Sequence, residues 1–224
     1  MKIVISENQY KRLIETEEEQ KVLRIPSLKI FDDDWYALQK FLELKGNPPY
    51  SIGWDLDLGY SRIKSLGNLV SVGGKLDLRY SRIKSLGNLQ SVGGDLDLEK
   101  TPIQSLGNLT SVGGDLDLEK TPIQSLGNLT SVGGNLYLRY SLIESLGNLQ
   151  SVGGGLYLYE TPIESLGNLV SVGRDLSLKG TAIESLGNLK FVGGYLDLER
   201  TPLFKKYTEK QIRKMVNVGG IYLS

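Results

Sequence analysis

Residues 95–114 read DLDLEKTPIQSLGNLTSVGG, and residues 115–134 repeat the same twenty letters. Working outward, seven consecutive blocks from Asp55 to Gly194 fit x-L-x-L-x-x-[ST]-x-I-x-S-L-G-N-L-x-[SF]-V-G-x without a shift in register. A fixed period of this length is the signature of a stacked-coil architecture, in which no unit buries its apolar face alone. The x-L-x-L segment alternates, which predicts a strand with its leucines pointing inward. The Gly-Asn pair, as at Gly67-Asn68, predicts a tight turn. The first glycine of each Gly-Gly pair is retained throughout, whereas Trp54 and Arg174 replace the second. That pattern predicts positive φ at the first position. Each coil offers six apolar residues to a core, for example Leu96, Leu98, Ile103, Leu106, Leu109 and Val112, with Thr101 partly buried beside them.

The flanks depart from the repeat. Residues 1–24 read as an appendage: a strand over Lys2–Ile5, then a helix opened by a Ser6/Gln9 capping box with Tyr10, Leu13 and Ile14 on one side. The run ETEEEQ at 15–20 reads as a solvated helix face or linker. Residues 25–54 read as a helical N-terminal cap, with a helix from near Asp33 carrying Trp35, Leu38, Phe41, Leu42 and Leu44 and ending at Gly46-Asn47-Pro48-Pro49. Residues 55–202 form the solenoid. Residues 203–224 form a C-terminal cap, with Thr208 capping a helix that carries Ile212, Met215 and Val216, and with Val218-Gly219-Gly220 back in phase before a last strand at Ile221–Leu223. The expected architecture is a parallel-sheet β-solenoid of about eight to nine coils with helical caps at both ends.

The motif L-x-L-x-x-[ST]-x-I resembles the leucine-rich-repeat core L-x-L-x-x-N-x-L, with Thr or Ser in place of the Asn. The unit VGGDLDLxxTPIxSL looks like the short leucine-rich repeats of bacterial and bacteriophage proteins and is similar to the repeats of receptor L domains. The beginning, KIVISENQYKRLI, resembles the start of many phage proteins. The resemblance over residues 51–203 implies a parallel-sheet solenoid that binds macromolecules. It does not imply a particular ligand. Ubiquitin-ligase activity, found in some bacterial leucine-rich-repeat effectors, needs a catalytic Cys that this chain lacks.

Composition narrows the function. Lys+Arg and Asp+Glu both number 26, which argues against a generic polyanion binder. The basic residues Lys205, Lys206, Lys210, Arg213 and Lys214 read as a solvated face of the C-terminal cap. With no Cys and no His there is no disulfide, no thiolate metal site and no histidine acid–base chemistry. No cofactor or metal site is expected. The start lacks the apolar core of a signal peptide, and no run approaches membrane-span length. The expectation is a soluble protein of a bacterial or phage-infected cytoplasm, or of a virion. Asp95 and Asp97 would make a carboxylate pair, but they sit at repeating positions whereas a catalytic site is unique, so no enzymatic activity is expected. Ice binding is disfavoured because Thr101 and its equivalents precede Pro and turn inward.

Stacked coils align equivalent residues about 4.8 Å apart. The first half of the expected sheet is acidic, with Asp95, Asp97, Glu99, Asp115, Asp117 and Glu119 close together. Solvent, Lys100 and Lys120, a cation or a basic partner would offset them. The second half is aromatic. Tyr137, Tyr157, Tyr159 and Tyr195 face outward beside Arg139 and Lys179, with Tyr140 just beyond the strand in register with Tyr60 and Tyr80. Two readings stand for these tyrosines: strand-stabilising stacks, or binding anchors. The coils around them depart from the consensus at Gly155, Arg174, Gly180 and Phe191, which marks a candidate site. The expected function is a non-enzymatic protein–protein interaction module whose sheet face carries Tyr137, Arg139, Tyr140, Tyr157, Tyr159, Lys179 and Tyr195, with Asp95, Asp97, Asp115 and Asp117 steering a basic segment. The alternative is a glycan-binding or structural component of a phage particle. Free strand edges at the caps would also support self-association.

Overall fold

The computed structural model describes residues 22–222. The expected strand at Lys2–Ile5, the Ser6/Gln9 box, the Tyr10/Leu13/Ile14 stripe and Leu223 lie outside the described residues. The chain forms a parallel β-solenoid of about seven turns, with a 20-residue periodicity compatible with a leucine-rich repeat.

Two ladders of short strands run along the solenoid, and every pairing in them is parallel. One is the expected L-x ladder, from Leu56–Asp57 through Leu116–Asp117 and Leu136–Tyr137 to Leu196–Asp197. The other pairs Ser71–Val72, Ser91–Val92 and their equivalents up to Phe191–Val192. This Ser-Val ladder is not legible as alternation, because two outward residues, as at Thr130 and Ser131, separate the buried Leu129 and Val132. The ladders merge in the last coil, where Phe191–Asp197 is one continuous strand. The third side of each coil, such as Ile123–Leu126, carries only isolated bridges, Ser85 with Ser105 and Ser125 with Ser145.

Inside, one complete coil contributes Leu116, Leu118, Ile123, Leu126, Leu129 and Val132, all at most 1% exposed. The corner threonine is fully buried rather than partly so. Thr121 Oγ1 donates to the Leu118 carbonyl at 2.7 Å, and Thr101, Thr161, Thr181 and Thr201 make the same bond. Without that bond a buried hydroxyl carries a desolvation penalty. Ser141, the residue at this corner in the fifth coil, has its buried Oγ unpartnered. The repeated Ser before Leu-Gly closes the next turn: Ser125 Oγ accepts the Gly127 N–H at 3.1 Å, and the equivalent bond recurs in the other coils.

The glycines divide differently from the sequence expectation. Positive φ belongs to the glycine of Leu-Gly-Asn, as at Gly127 (φ 57°), and not to the Gly-Gly pair. The first glycine of that pair is fixed by crowding. A Cβ on Gly133 would lie 2.2 Å from the Gly113 carbonyl oxygen of the preceding coil. The second glycine also faces the coil before it, where a Cβ on Gly134 would meet Asp115 Oδ1 at 2.1 Å. Arg174 is accommodated at that position one coil after Gly155, which has no side chain to obstruct it.

At the N-terminal end, Leu23–Ile25 pairs with Tyr50–Ile52, so the sheet begins upstream of residue 25. A 3-10 turn at Leu28–Phe31 leads to the helix Trp35–Leu44. Asp34 caps this helix by accepting the N–H groups of Tyr36 and Ala37. Trp35, Leu38, Phe41 and Leu42 are buried against the first coils, whereas Leu44, expected on that face, is 77% exposed. Buried Tyr50 ties the helix to the first turn: its hydroxyl donates to the Leu66 carbonyl at 2.7 Å and accepts from Gln39 Nε2 at 2.9 Å. At the other end the helical content is small, Pro202–Lys206 and Glu209–Met215. Thr208 and Gln211 form a capping box there, Ile212 and Val216 are buried, and Met215 is 40% exposed. The return to phase holds, with Val218 opposite Val192 in a final strand at Asn217–Tyr222. Strands as much as helices close the ends.

Two stability outcomes follow. Gly133→Ala, which forces two backbones apart, should cost about 3 kcal/mol, whereas Gly127→Ala, with open space around its Cβ and only positive φ to accommodate, should cost about 1 kcal/mol. Ser141→Thr should gain about 1 kcal/mol by restoring the corner bond. Urea unfolding followed by circular dichroism reads all three variants, and equal costs for the two glycine variants would refute the crowding argument.

Candidate functional site

The expected binding residues lie on the L-x-L side. Its outward positions are set by strand alternation and by the corner that follows. At that corner one residue per coil adopts positive φ: Tyr60, Tyr80, Lys100, Lys120, Tyr140, Glu160, Gly180 and Arg200. The left-handed corner throws these side chains away from the core, and Tyr60 and Tyr140 are 69% and 53% exposed. Gly180 (φ 72°) meets this backbone requirement directly, which accounts for that departure from the consensus.

The tyrosines gather into separate groups. Tyr137 and Tyr157 stack with centroids 5.2 Å apart and planes 7° apart. The Arg139 guanidinium lies 5.7 Å from both rings and pairs with Glu119. Tyr140 meets Tyr159 edge-on at 5.5 Å. Arg200 reaches back across two coils, 5.9 Å from the Tyr159 ring and 2.9 Å from Glu160. Gly155 makes room for this cluster, because a Cβ there would fall 2.6 Å from the Tyr157 hydroxyl. Between the groups lies a cleft of about 380 Å³ lined by Glu119, Arg139, Tyr140, Tyr157, Tyr159 and Ser177. The opening forms where Ser177 follows Tyr157 in register, a small side chain after two large ones.

Two expected members sit elsewhere. Tyr195 stacks on Tyr222 at 4.9 Å, and Lys179 pairs with Glu199. Glu119, Ser177, Glu160 and Arg200 were not singled out as site residues. The signal for them was the column register, since each lies one or two coils from a tyrosine. Tyr60 and Tyr80 form a further stack, with Arg79 5.8 Å from the Tyr60 ring and Lys100 4.7 Å from the Tyr80 ring.

The acidic columns have internal partners. Asp95 Oδ1 accepts the Asp115 N–H at 2.9 Å, Asp115 Oδ1 accepts the Asn135 N–H at 2.6 Å, and Asn135 Oδ1 accepts the Gly155 N–H at 2.8 Å. These side chains tie each coil to the next. Asp97 and Asp117 instead accept the N–H two residues ahead, from Glu99 and Glu119. Arg79 bridges Asp77 at 3.0 Å and Asp97 at 3.8 Å, and Lys100 and Lys120 flank Glu99. Among the described residues no cluster of three acidic side chains is placed to hold a metal ion.

Burial, with Glu119, Asp97 and Glu99 nearby, pushes the Asp117 carboxyl up to about 6, against the opposing hydrogen bond from Glu119 N–H. Burial also raises Asp97. A concavity of about 1180 Å³ forms a long groove over the Ser-Val ladder with Trp54 at one end and Phe191 at the other. Its floor is built of small Ser, Val and Gly residues. Compared with protein-family models, curated proteins and solved structures, the chain matches none.

Asp117 makes stability pH-dependent. Between its ordinary value of 3.8 and its native value of about 6, the folded chain holds more proton than the unfolded one. Stability contributed by protonated Asp117 is therefore present below that window and lost as pH rises through it. Asp117→Asn keeps an Oδ1 to accept the Glu119 N–H and removes the charge. Its urea midpoint should exceed the wild-type value at about pH 7.5 and match it at about pH 4. A variant less stable at both values would refute this.

Proposed function

We propose that the protein is a non-enzymatic interaction module that binds a protein partner on its L-x-L side, centred on the cleft among Arg139, Tyr140, Tyr157 and Tyr159. The observation that carries this reading is the concentration of exposed Arg139 and Tyr140 with half-buried Tyr157 and Tyr159 around one opening, the residue types enriched at interface hot spots. The stacked rings have few rotamers to lose on contact. Asp115 and Asp117 one coil from Tyr137, and Asp95 and Asp97 two coils away, extend the surface with negative charge, suited to a basic segment. In the alternative reading, as a glycan-binding or structural component of a phage particle, the cleft offers a ring face and polar groups at Glu119, Arg139 and Ser177. The Tyr137–Tyr157 stack counts against it, because each ring covers one face of the other and leaves less platform for a sugar.

The deciding experiment is affinity capture from the lysate of cells that make the protein, comparing wild type with Tyr140→Ser/Tyr159→Ser. These rings are outside the core, so the variant's circular dichroism should match wild type. One protein retained by wild type, released by salt and lost by the variant is the expected result. Equal retention by both would remove the cleft from the reading. Absence of any captured protein, with binding on a glycan array instead, would favour the alternative.

A further inference from the structure

The third side of the solenoid carries a charge pattern unlike that of the L-x-L side. Its outward column runs Lys64, Lys84, Gln104, Gln124, Glu144, Glu164 and Glu184, all exposed. The column beside it adds Arg62 and Arg82 at the basic end, then Pro102, Pro122 and Leu142. Backbone bonds hold the coils in step here, with Gln104 N–H donating to the Lys84 carbonyl and Glu144 N–H to the Gln124 carbonyl, each at 2.9 Å.

On the L-x-L side, cations pair with anions of the same chain, as in Arg139–Glu119, Lys179–Glu199 and Arg200–Glu160. On the third side none of Arg62, Lys64, Arg82, Lys84, Glu144, Glu164 and Glu184 has an ion pair. The single side-chain bond in the column is Gln124 Nε2 to Glu144 Oε1 at 3.5 Å. Like charges therefore stack on adjacent coils, an unfavourable arrangement that an opposite column would relieve.

The column is its own complement when reversed. A two-fold axis passing between Gln104 and Gln124 places Lys64 opposite Glu164, Lys84 opposite Glu144, and Gln104 opposite Gln124. That axis falls between the two identical coils, 95–114 and 115–134. Because both copies share the same spacing of about 4.8 Å between coils, all six rungs match over about 24 Å. We propose that the third side joins two copies of this chain side by side, with axes antiparallel, through this ladder. The contact is isologous and closes at two. Arg62 and Arg82 would reinforce the basic ends, and Pro102, Pro122 and Leu142 would supply apolar surface near the axis. This surface is on a different side from the proposed partner cleft, so neither proposal rests on the other.

Sedimentation velocity on the full chain tests the dimer, at on the order of 10–100 µM protein in low salt. The expected species is a dimer that dissociates as salt rises. Lys64→Glu/Lys84→Glu and Glu144→Lys/Glu164→Lys should each be monomeric, with unchanged circular dichroism because all four side chains are exposed. Mixing the two variants should restore a species of twice the monomer mass, since all four charged rungs then pair opposite charges. A chain carrying all four substitutions should also dimerise. Monomeric wild type would overturn the proposal. So would a wild-type-like dimer in both half-reversed variants, which would place the contact at another surface such as the strand edge Asn217–Tyr222. Failure of the mixture to associate would overturn the charge-ladder contact, and a monomeric four-substitution chain would overturn the antiparallel register.

Discussion

Everything in this molecule depends on the distance between one coil and the next. The hydrogen bonds of both ladders run along the solenoid axis, from Leu116 N–H to the Asn135 carbonyl and from Gly133 N–H to the Val112 carbonyl, both at 2.8 Å. Such bonds fix neighbouring strands about 4.8 Å apart. At that spacing the corners are more demanding than the core. A leucine finds room between leucines, but at Gly133 even a methyl group meets the backbone of the previous coil. The same spacing explains why Asp95, Asp115 and Asn135 fill one column: each side chain just reaches the N–H one coil ahead. A residue first read as surface charge thus also serves as a vertical tie.

Much of this was legible in the chain because a repeat reports one environment many times. The inward leucines, the Gly-Asn turn, the Thr208 cap and the return to phase at Val218 all follow from pattern. The Ser-Val ladder did not, because its segment places two outward residues between buried Leu129 and Val132 and so breaks the alternation. The assignment of positive φ to the Gly-Gly pair failed for a related reason. An invariant glycine signals either backbone freedom or lack of space, and one sequence does not separate the two. In the site, register correctly brought Tyr137 to Tyr157. It did not bring in Tyr195, which turns to Tyr222 across the boundary with the C-terminal cap. Glu119 and Ser177 went unrecognised because a cleft is defined by the smallest and the oppositely charged neighbours as much as by its aromatic ones.

The breaks in the repeat lose their mystery one at a time. Gly155 admits the Tyr157 ring and, having no side chain, leaves Arg174 unobstructed. Gly180 satisfies a left-handed corner that tyrosine, lysine, glutamate and arginine occupy under strain elsewhere. These substitutions concern coil geometry first, while the opening beside Tyr159 comes from Ser177, small after two tyrosines in register.

The two identical coils have a consequence for how the chain can change. The junction inside residues 95–134 joins identical coils, and the hydrogen bonds of these two coils reach only to adjacent coils. A copying slip that adds or removes a unit of twenty codons here would therefore leave every surviving hydrogen bond with an identical partner. Length in this protein is digital: it can step by whole turns while both ends remain as they are. A slip of a single codon has no such refuge, since it would turn the outward columns toward the core from that point on.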